Sequence, residues 1–177
     1  MAIDVTAGEL VLPFRDEAGA RVRFERLMAA HQRRVFRTAY RLLGRCEDAQ
    51  DATQEVFLRL LKNLDSVGED PSGWLYRVTV NVCNDFYRRT PPLEISEEIR
   101  AGGVSAEEAL TMDERKRLLM DGLQTLPERE RAAVVLRDIE GLSTAEVARI
   151  MGVEEVTVRS QICVARVKLA KYVRERR

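Results

Sequence analysis

Histidine is nearly missing from this chain: His31 is the only one among 177 residues. It falls on the apolar side of a predicted helix, which suits a packed or capping residue better than a proton-transfer group. Without histidine partners, the carboxylates of Asp48, Asp51 and Glu55 make a poor metal site, and an acidic helical face is ordinarily just solvated. Neither GxxxxGK nor GxGxxG occurs, so no phosphate-cradling loop is expected. These absences exclude the common enzyme signatures, and no cofactor or metal is expected. Cysteine is scarce too. Cys46, Cys83 and Cys163 lie far apart, none in a CxxC pair, as expected of reduced thiols in a cytosolic protein rather than a disulfide frame. No apolar run approaches a membrane span, and the N-terminus lacks a basic start followed by an apolar core. The expectation is a soluble, cytoplasmic protein with no direct membrane insertion. Alternation with a period of two is nearly absent, which argues against a sheet.

What the chain does have is charge, 33% of residues, sorted into blocks that sum to zero. Arg21 to Arg45 holds eight arginines against Glu25 alone, and Cys46 to Asp70 holds seven acids against two bases. Pro91 to Leu110 is acidic, five against Arg100, while Val156 to the C-terminus has seven bases against Glu175. A neutral total argues against coating nucleic acid by bulk charge, and the sorting points to separate surfaces for separate partners.

Apolar spacing of three and four predicts an all-α chain in two small helical domains. Residues 1–20 show no sustained period and read as a mobile arm. A first domain over 21–90 has three helices. The first runs from about Val22 to Leu43, with Phe24, Met28, His31, Val35, Ala39 and Leu42 inward, and Gly44 ends it. The second runs from about Glu47 to Leu64, with Ala49, Ala52, Val56, Leu60, Leu61 and Leu64 inward and Asp48, Asp51, Gln54 and Glu55 outward. Pro71 suits the first turn of the third, which buries Leu75, Val78, Val82 and Phe86 and stops at Pro91 and Pro92. Residues 91–105 read as an acidic, flexible linker. The second domain, 106–177, starts with a helix to about Leu123. Pro127 then opens another to about Glu140 that buries Ala132, Val135, Leu136 and Ile139.

The most specific local signal is Gly141 to Ser160, a helix-turn-helix. Ser143 and Glu146 have capping-box spacing, Ala145, Val147, Ala148, Ile150 and Met151 form a small apolar face, and Gly152 suits the position past a helix end. The following helix turns Val158, Ile162, Ala165 and Leu169 inward. Its outer face carries Thr157, Ser160, Gln161 and Lys168, flanked by Arg159 and Arg166, side chains that reach base edges and phosphates from a major-groove helix. A purely structural helical hairpin is the plain alternative. On the third helix, Arg77, Asn81, Asn84 and Arg88 form one polar stripe, with Trp74 and Tyr76 at its start. Arginine holds phosphate, asparagine pairs a base edge and aromatic rings stack on unpaired bases, so the stripe suits an unpaired strand. A solvated polar face beside a core tryptophan would look alike.

Taken in order, the motifs resemble one family. Asp48-Ala-Gln-Asp-Ala-Thr-Gln-Glu-Val-Phe57 is followed by Trp74-Leu-Tyr-Arg-Val-Thr-Val-Asn81 with Asp85 and Arg88. Leu126-Pro-Glu-Arg-Glu-Arg131, Leu136-Arg-Asp-Ile-Glu-Gly-Leu-Ser143 and the helix-turn-helix come after. Across residues 21 to 175 the chain resembles the group IV, extracytoplasmic-function (ECF) sigma factors of the sigma-70 family, promoter-specificity subunits of bacterial RNA polymerase. The resemblance implies that Asp48, Asp51, Gln54, Glu55 and Phe57 dock on the β′ clamp helices, and that the second domain meets the β flap. It implies that Trp74, Tyr76, Arg77, Asn81, Asn84 and Arg88 recognise and melt the −10 element. Thr157, Arg159, Ser160, Gln161 and Arg166 would read the −35 element, with Lys168 and Lys171 on phosphates. An anti-sigma factor is the family's usual inhibitor.

Three departures stand out. Glu154-Glu155-Val156 replaces the Pro-Val-Gly run common in the family; Gln161, Cys163 and Val164 stand where relatives are often basic; Val80 stands where a basic residue usually precedes the asparagine. The charge blocks suggest that the acidic helix and linker screen the basic DNA-reading faces in the free chain, since these lie beyond a Debye length of about 8 Å only when spread out; a linker that is merely solvated and disordered is the plain alternative. A stand-alone helix-turn-helix regulator is the rival reading, and it leaves the acidic second helix and the third-helix stripe without a role.

Overall fold

The structure, a computed structural model, describes residues 17–89 and 107–176. Seven α-helices and one π-helical turn make up these segments, with no strand among the described residues. The first lobe contains α1 (Glu17–Leu43), α2 (Cys46–Lys62) and α3 (Ser72–Arg89). Helix α1 begins five residues before the expected Val22, so the end of the expected arm is helical; residues 1–16 and the expected linker at 91–105 lie outside the described residues.

Local chemistry sets the lobe's corners. Gly44 at φ +77° ends α1, a left-handed conformation that costs a side-chain-bearing residue about 1–2 kcal/mol. Arg23 donates to Leu64 O at 2.8 Å and to Val67 O, pinning the α2–α3 loop onto α1. The Asp70 carboxylate accepts the Ser72 backbone N–H at 3.0 Å, and these Ser72 hydrogen bonds hold its carboxyl below the usual range. Inside, Ala39, Leu42, Ala49, Ala52, Val56, Leu60, Leu75 and Val82 are buried as the spacing predicts. A fully buried Leu or Val contributes about 1.5–3 kcal/mol. Leu27 is buried, whereas Phe24, Met28 and His31 are only partly so. Burial, followed by the nearby Arg34 charge, holds the His31 imidazole below its ordinary pKa.

The second lobe contains α4 (Glu107–Gln124), α5 (Glu128–Val134), a π-helical turn (Val135–Ile139), α6 (Thr144–Met151) and α7 (Glu155–Glu175). The single helix expected from Pro127 to Glu140 is thus interrupted. Glu140 N–H reaches back five residues to Val135 O at 2.9 Å, and Gly141 at φ +77° turns the chain toward α6. Helix α4 crosses α7 closely at Gly122, where a Cβ would stand 3.1 Å from Leu169 Cδ2.

The lobes share one continuous core, joined by a polar seam at the C-terminal end of α1. Gln124 Nε2 donates to Arg41 O at 3.1 Å, and Arg131 donates to Leu42 O. Tyr87 Oη lies 3.0 Å from both Leu42 O and Gln124 Oε1, so its one proton is shared between them. Side chains from α3 and the second lobe thus cap carbonyls that α1 leaves unpaired. Arg131 is 4% exposed and also donates to Gln124 Oε1 at 2.7 Å and Leu126 O at 2.8 Å, with no carboxylate in ion-pair reach among the described residues. Burial pulls its pKa down to about 10, leaving it protonated at neutral pH.

Candidate nucleic-acid interface

Helix α3 is buried on two sides. Leu75, Val78, Val82 and the partly buried Phe86 face α1 and α2, while Tyr76, Val80, Cys83 and Tyr87, at steps of four, three and four, form a second strip. Tyr76 is 7%, Val80 4% and Cys83 1% exposed; burial pushes the Cys83 thiol up to about 12. Tyr87 stacks under Arg131, 4.6 Å from ring centre to guanidinium carbon. The stripe expected to hold an unpaired strand keeps Arg77, Asn81 and Arg88 exposed and Asn84 partly so. Trp74 is partly buried against the core. Tyr76 departs from the expectation: its hydroxyl donates to Glu140 Oε2 at 2.9 Å, and its ring has no open face for a base in this arrangement. Burial, reinforced by the Glu140 charge, raises its pKa to about 12. Arg77 donates to Arg149 O of α6 at 2.6 Å.

The helix-turn-helix forms as the sequence predicts. Ser143 Oγ accepts Glu146 N–H at 3.2 Å, the Glu146 carboxylate accepts Ser143 N–H at 2.7 Å, and Gly152 closes α6 at φ +66°. The Ser143 hydrogen bonds hold the Glu146 carboxyl below its usual range. Replacing Ser143 with Ala is expected to cost about 1 kcal/mol, read as a lower urea midpoint; an unchanged midpoint would show that the cap contributes nothing.

On α7, Val158, Ile162 and Ala165 are buried and Leu169 packs against the core, which divides the expected DNA-reading residues into two strips. Thr157, Gln161, Val164, Lys168 and Lys171 follow one ridge at steps of four, three, four and three, with Ser160 beside it. Arg159 and Arg166 lie on the opposite flank. There Arg159 pairs with Glu155 at 2.8 Å and Arg166 is bidentate to Asp138 at 2.8 and 2.6 Å. Lys168 pairs with Glu130 at 2.8 Å. The acids that partner the α7 bases therefore lie in the second lobe, not in α2, and no ion pair among the described residues joins α2 to α7. The acidic helix thus makes no direct ion pair with these bases, and the linker falls outside the described residues.

The acidic face of α2 is largely as expected. Asp51 and Gln54 are exposed, Asp48 sits 3.5 Å from Arg45, and Glu55 pairs with Arg59 at 2.7 Å. Phe57 is the exception. It is 6% exposed and packs edge-on against Phe24, ring centres 6.4 Å apart, so it supports the helix from beneath instead of meeting a partner. The exposed apolar side chain beside it is Leu58. No helix among the described residues is long and apolar enough to cross a membrane.

This geometry has close parallels. Sigma-70 region 2 matches residues 27–91, and Sigma-70, region 4 matches residues 116–169. The ECF RNA polymerase sigma factor SigE of Mycolicibacterium smegmatis is 34% identical over 96% of this chain and 69% of its own length. The chain belongs to the ECF sigma factors of the sigma-70 family. SigM of Mycobacterium tuberculosis, an ECF RNA polymerase sigma factor, is 36% identical over 87% of this chain and 79% of its own. Among solved structures, CnrH in complex with the cytosolic domain of CnrY superposes with a TM-score of 0.63 at 25% identity, covering 86% of this chain and 88% of that one. In this sigma factor the two lobes correspond to the two matched regions, with α1 to α3 in the first and α6 and α7 in the second.

Arg131 and Glu140 lie in motifs read from the sequence, but nothing local in them, or around Gln124, shows that these side chains join the lobes. The second strip of α3 does, in the four-three-four spacing of Tyr76, Val80, Cys83 and Tyr87.

Proposed function

We propose that this chain acts as a group IV sigma factor and not as an enzyme, with its labour divided among three surfaces. The outer face of α2, centred on Asp51 and Glu55 with Asp48 and Gln54 beside them, docks on the polymerase clamp. The Arg77, Asn81, Asn84 and Arg88 stripe, with Trp74 at its start, takes the unpaired −10 strand. The ridge of Thr157, Ser160, Gln161, Lys168 and Lys171 enters the major groove at the −35 element, with Arg159 and Arg166 toward the flanking backbone. The observation that carries this reading is one chain holding both a capped helix-turn-helix and an exposed arginine–asparagine stripe on a separate lobe. An inhibitory anti-sigma factor is part of the proposal; CnrH, similar in fold, is itself seen in complex with the cytosolic domain of CnrY.

Run-off transcription from a pool of genomic fragments tests it. Core polymerase is expected to start at discrete sites only when the chain is added; promoter binding by the chain with no effect on the enzyme would favour a stand-alone regulator. Within the assembled holoenzyme, Asn81→Ala is expected to reduce open complexes by about tenfold, the effect of losing one bidentate base contact of about 1–3 kcal/mol. Permanganate reactivity of unpaired thymines checks this, and full reactivity in the variant would remove Asn81 from the interface.

A further inference from the structure

Between the Thr157–Lys171 ridge of α7 and its Arg159–Arg166 flank lies a third strip. Val156, Ser160, Cys163 and Val167 follow one another at steps of four, three and four, opposite the buried Val158, Ile162 and Ala165, with Val164 of the ridge beside them. This is the outermost face of the helix, and it is mainly apolar. Val156 is 67%, Val167 65% and Val164 41% exposed, and Cys163 is exposed too. Ser160 is the one hydroxyl among them.

The surroundings of the strip narrow what it can meet. Arg159 and Arg166 rim it on one side, Lys168 and Lys171 on the other, and Arg174 stands at its C-terminal end. Lysine is depleted in contacts between proteins, whereas two basic rims suit the phosphate backbones that border a groove. Glu154 and Glu155 at the helix start disfavour phosphate there, so the backbone is held along the flanks and the strip lies toward the groove floor. Valine offers no donor or acceptor to a base edge. The apolar group that a major groove presents is the thymine C5-methyl. From Val156 to Val167 the helix rises about 16 Å, the length of about five base-pair steps.

We propose that α7 selects its −35 element by thymine methyls, with Val164 and Val167 as the specificity-determining contacts and Ser160 as the polar one between them. This rests on the reading of α7 as a major-groove helix. A cytosine at a contacted position would set its N4 amino group against valine and leave that donor unpaired.

The test uses holoenzyme and a promoter drawn from the run-off pool, with each thymine of its upstream element replaced by deoxyuridine. The replacement removes the methyls and keeps every hydrogen-bonding group in the groove. Binding by the native holoenzyme is expected to fall about fourfold per contacted thymine, the equivalent of about 0.8 kcal/mol for one buried carbon. The doubly substituted chain, Val164→Ser with Val167→Ser, changes only exposed positions. Its holoenzyme is expected to bind the thymine promoter more weakly and to lose nothing further with deoxyuridine. Equal binding of both promoters by the native holoenzyme would overturn the proposal. So would a deoxyuridine loss of the same size in the variant, since the methyls would then act through DNA shape. Weaker assembly of the variant with core polymerase in the absence of DNA would assign the strip to a protein contact and overturn it as well. Hydroxyl-radical footprinting separates this from the underlying reading: protection of the upstream element without thymine preference sinks the methyl contacts alone, and no protection sinks the groove assignment of α7 too.

Discussion

Converting Asp51 and Glu55 together to lysine is expected to weaken assembly with core polymerase by about 100-fold or more. Asp51 is fully available, with no ion pair among the described residues, whereas the charge of Glu55 is shared with Arg59. Opposed charges across a docked interface couple by about 1.5–7 kcal/mol per close pair, and a combined loss near 3 kcal/mol corresponds to about 100-fold in Kd. Fold damage should not confound the result, because α2 is held by Ala49, Ala52, Val56 and Leu60 on its other side. Fluorescence anisotropy of labelled chain titrated with core polymerase measures the effect, with circular dichroism as the control. An unchanged Kd would mean that α2 is a solvated face and docking lies elsewhere.

Arg131→Ala is expected to be the most damaging single truncation, at about 3 kcal/mol. The guanidinium satisfies carbonyls of Leu42 and Leu126 and the side chain of Gln124, and removing one partner of a buried polar contact leaves the others unpaired at about 1–3 kcal/mol each. Gln124 has little freedom to compensate. It is held from Arg41 O, Tyr87 and Arg131, and it lies so near Gly44 that a Cβ there would meet its Cδ at 2.6 Å. Urea unfolding followed by helix signal should show one transition for the native chain, as a shared core requires, and two for the variant as the lobes uncouple. A loss below about 1 kcal/mol with one transition retained would mean that water takes the place of Arg131.

What could be read from the sequence is what neighbours along the chain determine. The capping box at Ser143 and Glu146, the left-handed stops at Gly44 and Gly152, and the apolar ladders of α2 and α7 are properties of a few consecutive residues, and they formed as expected. Phe57 was misplaced because a motif position says which helix a residue occupies, not which way its ring points; Phe24, thirty-three residues earlier, decides that. Arg166 and Lys168 look free in the sequence, but Asp138 and Glu130 reach them once the π-helical turn and α5 pack on α7. Glu140 was the least legible. Its partners lie 64 to 102 residues away, and only the docked lobes bring them together. A hint was present in α3, where Tyr76, Val80, Cys83 and Tyr87 make a second apolar strip, a pattern that marks a helix buried on two sides.

The division of labour between lobes is tested most directly by site-specific crosslinking in promoter-bound holoenzyme. A photoreactive residue at position 81 is expected to join the unpaired strand near the start site, and one at position 160 to join duplex DNA well upstream. Crosslinks from both positions to the same stretch, or from neither to DNA, would contradict it.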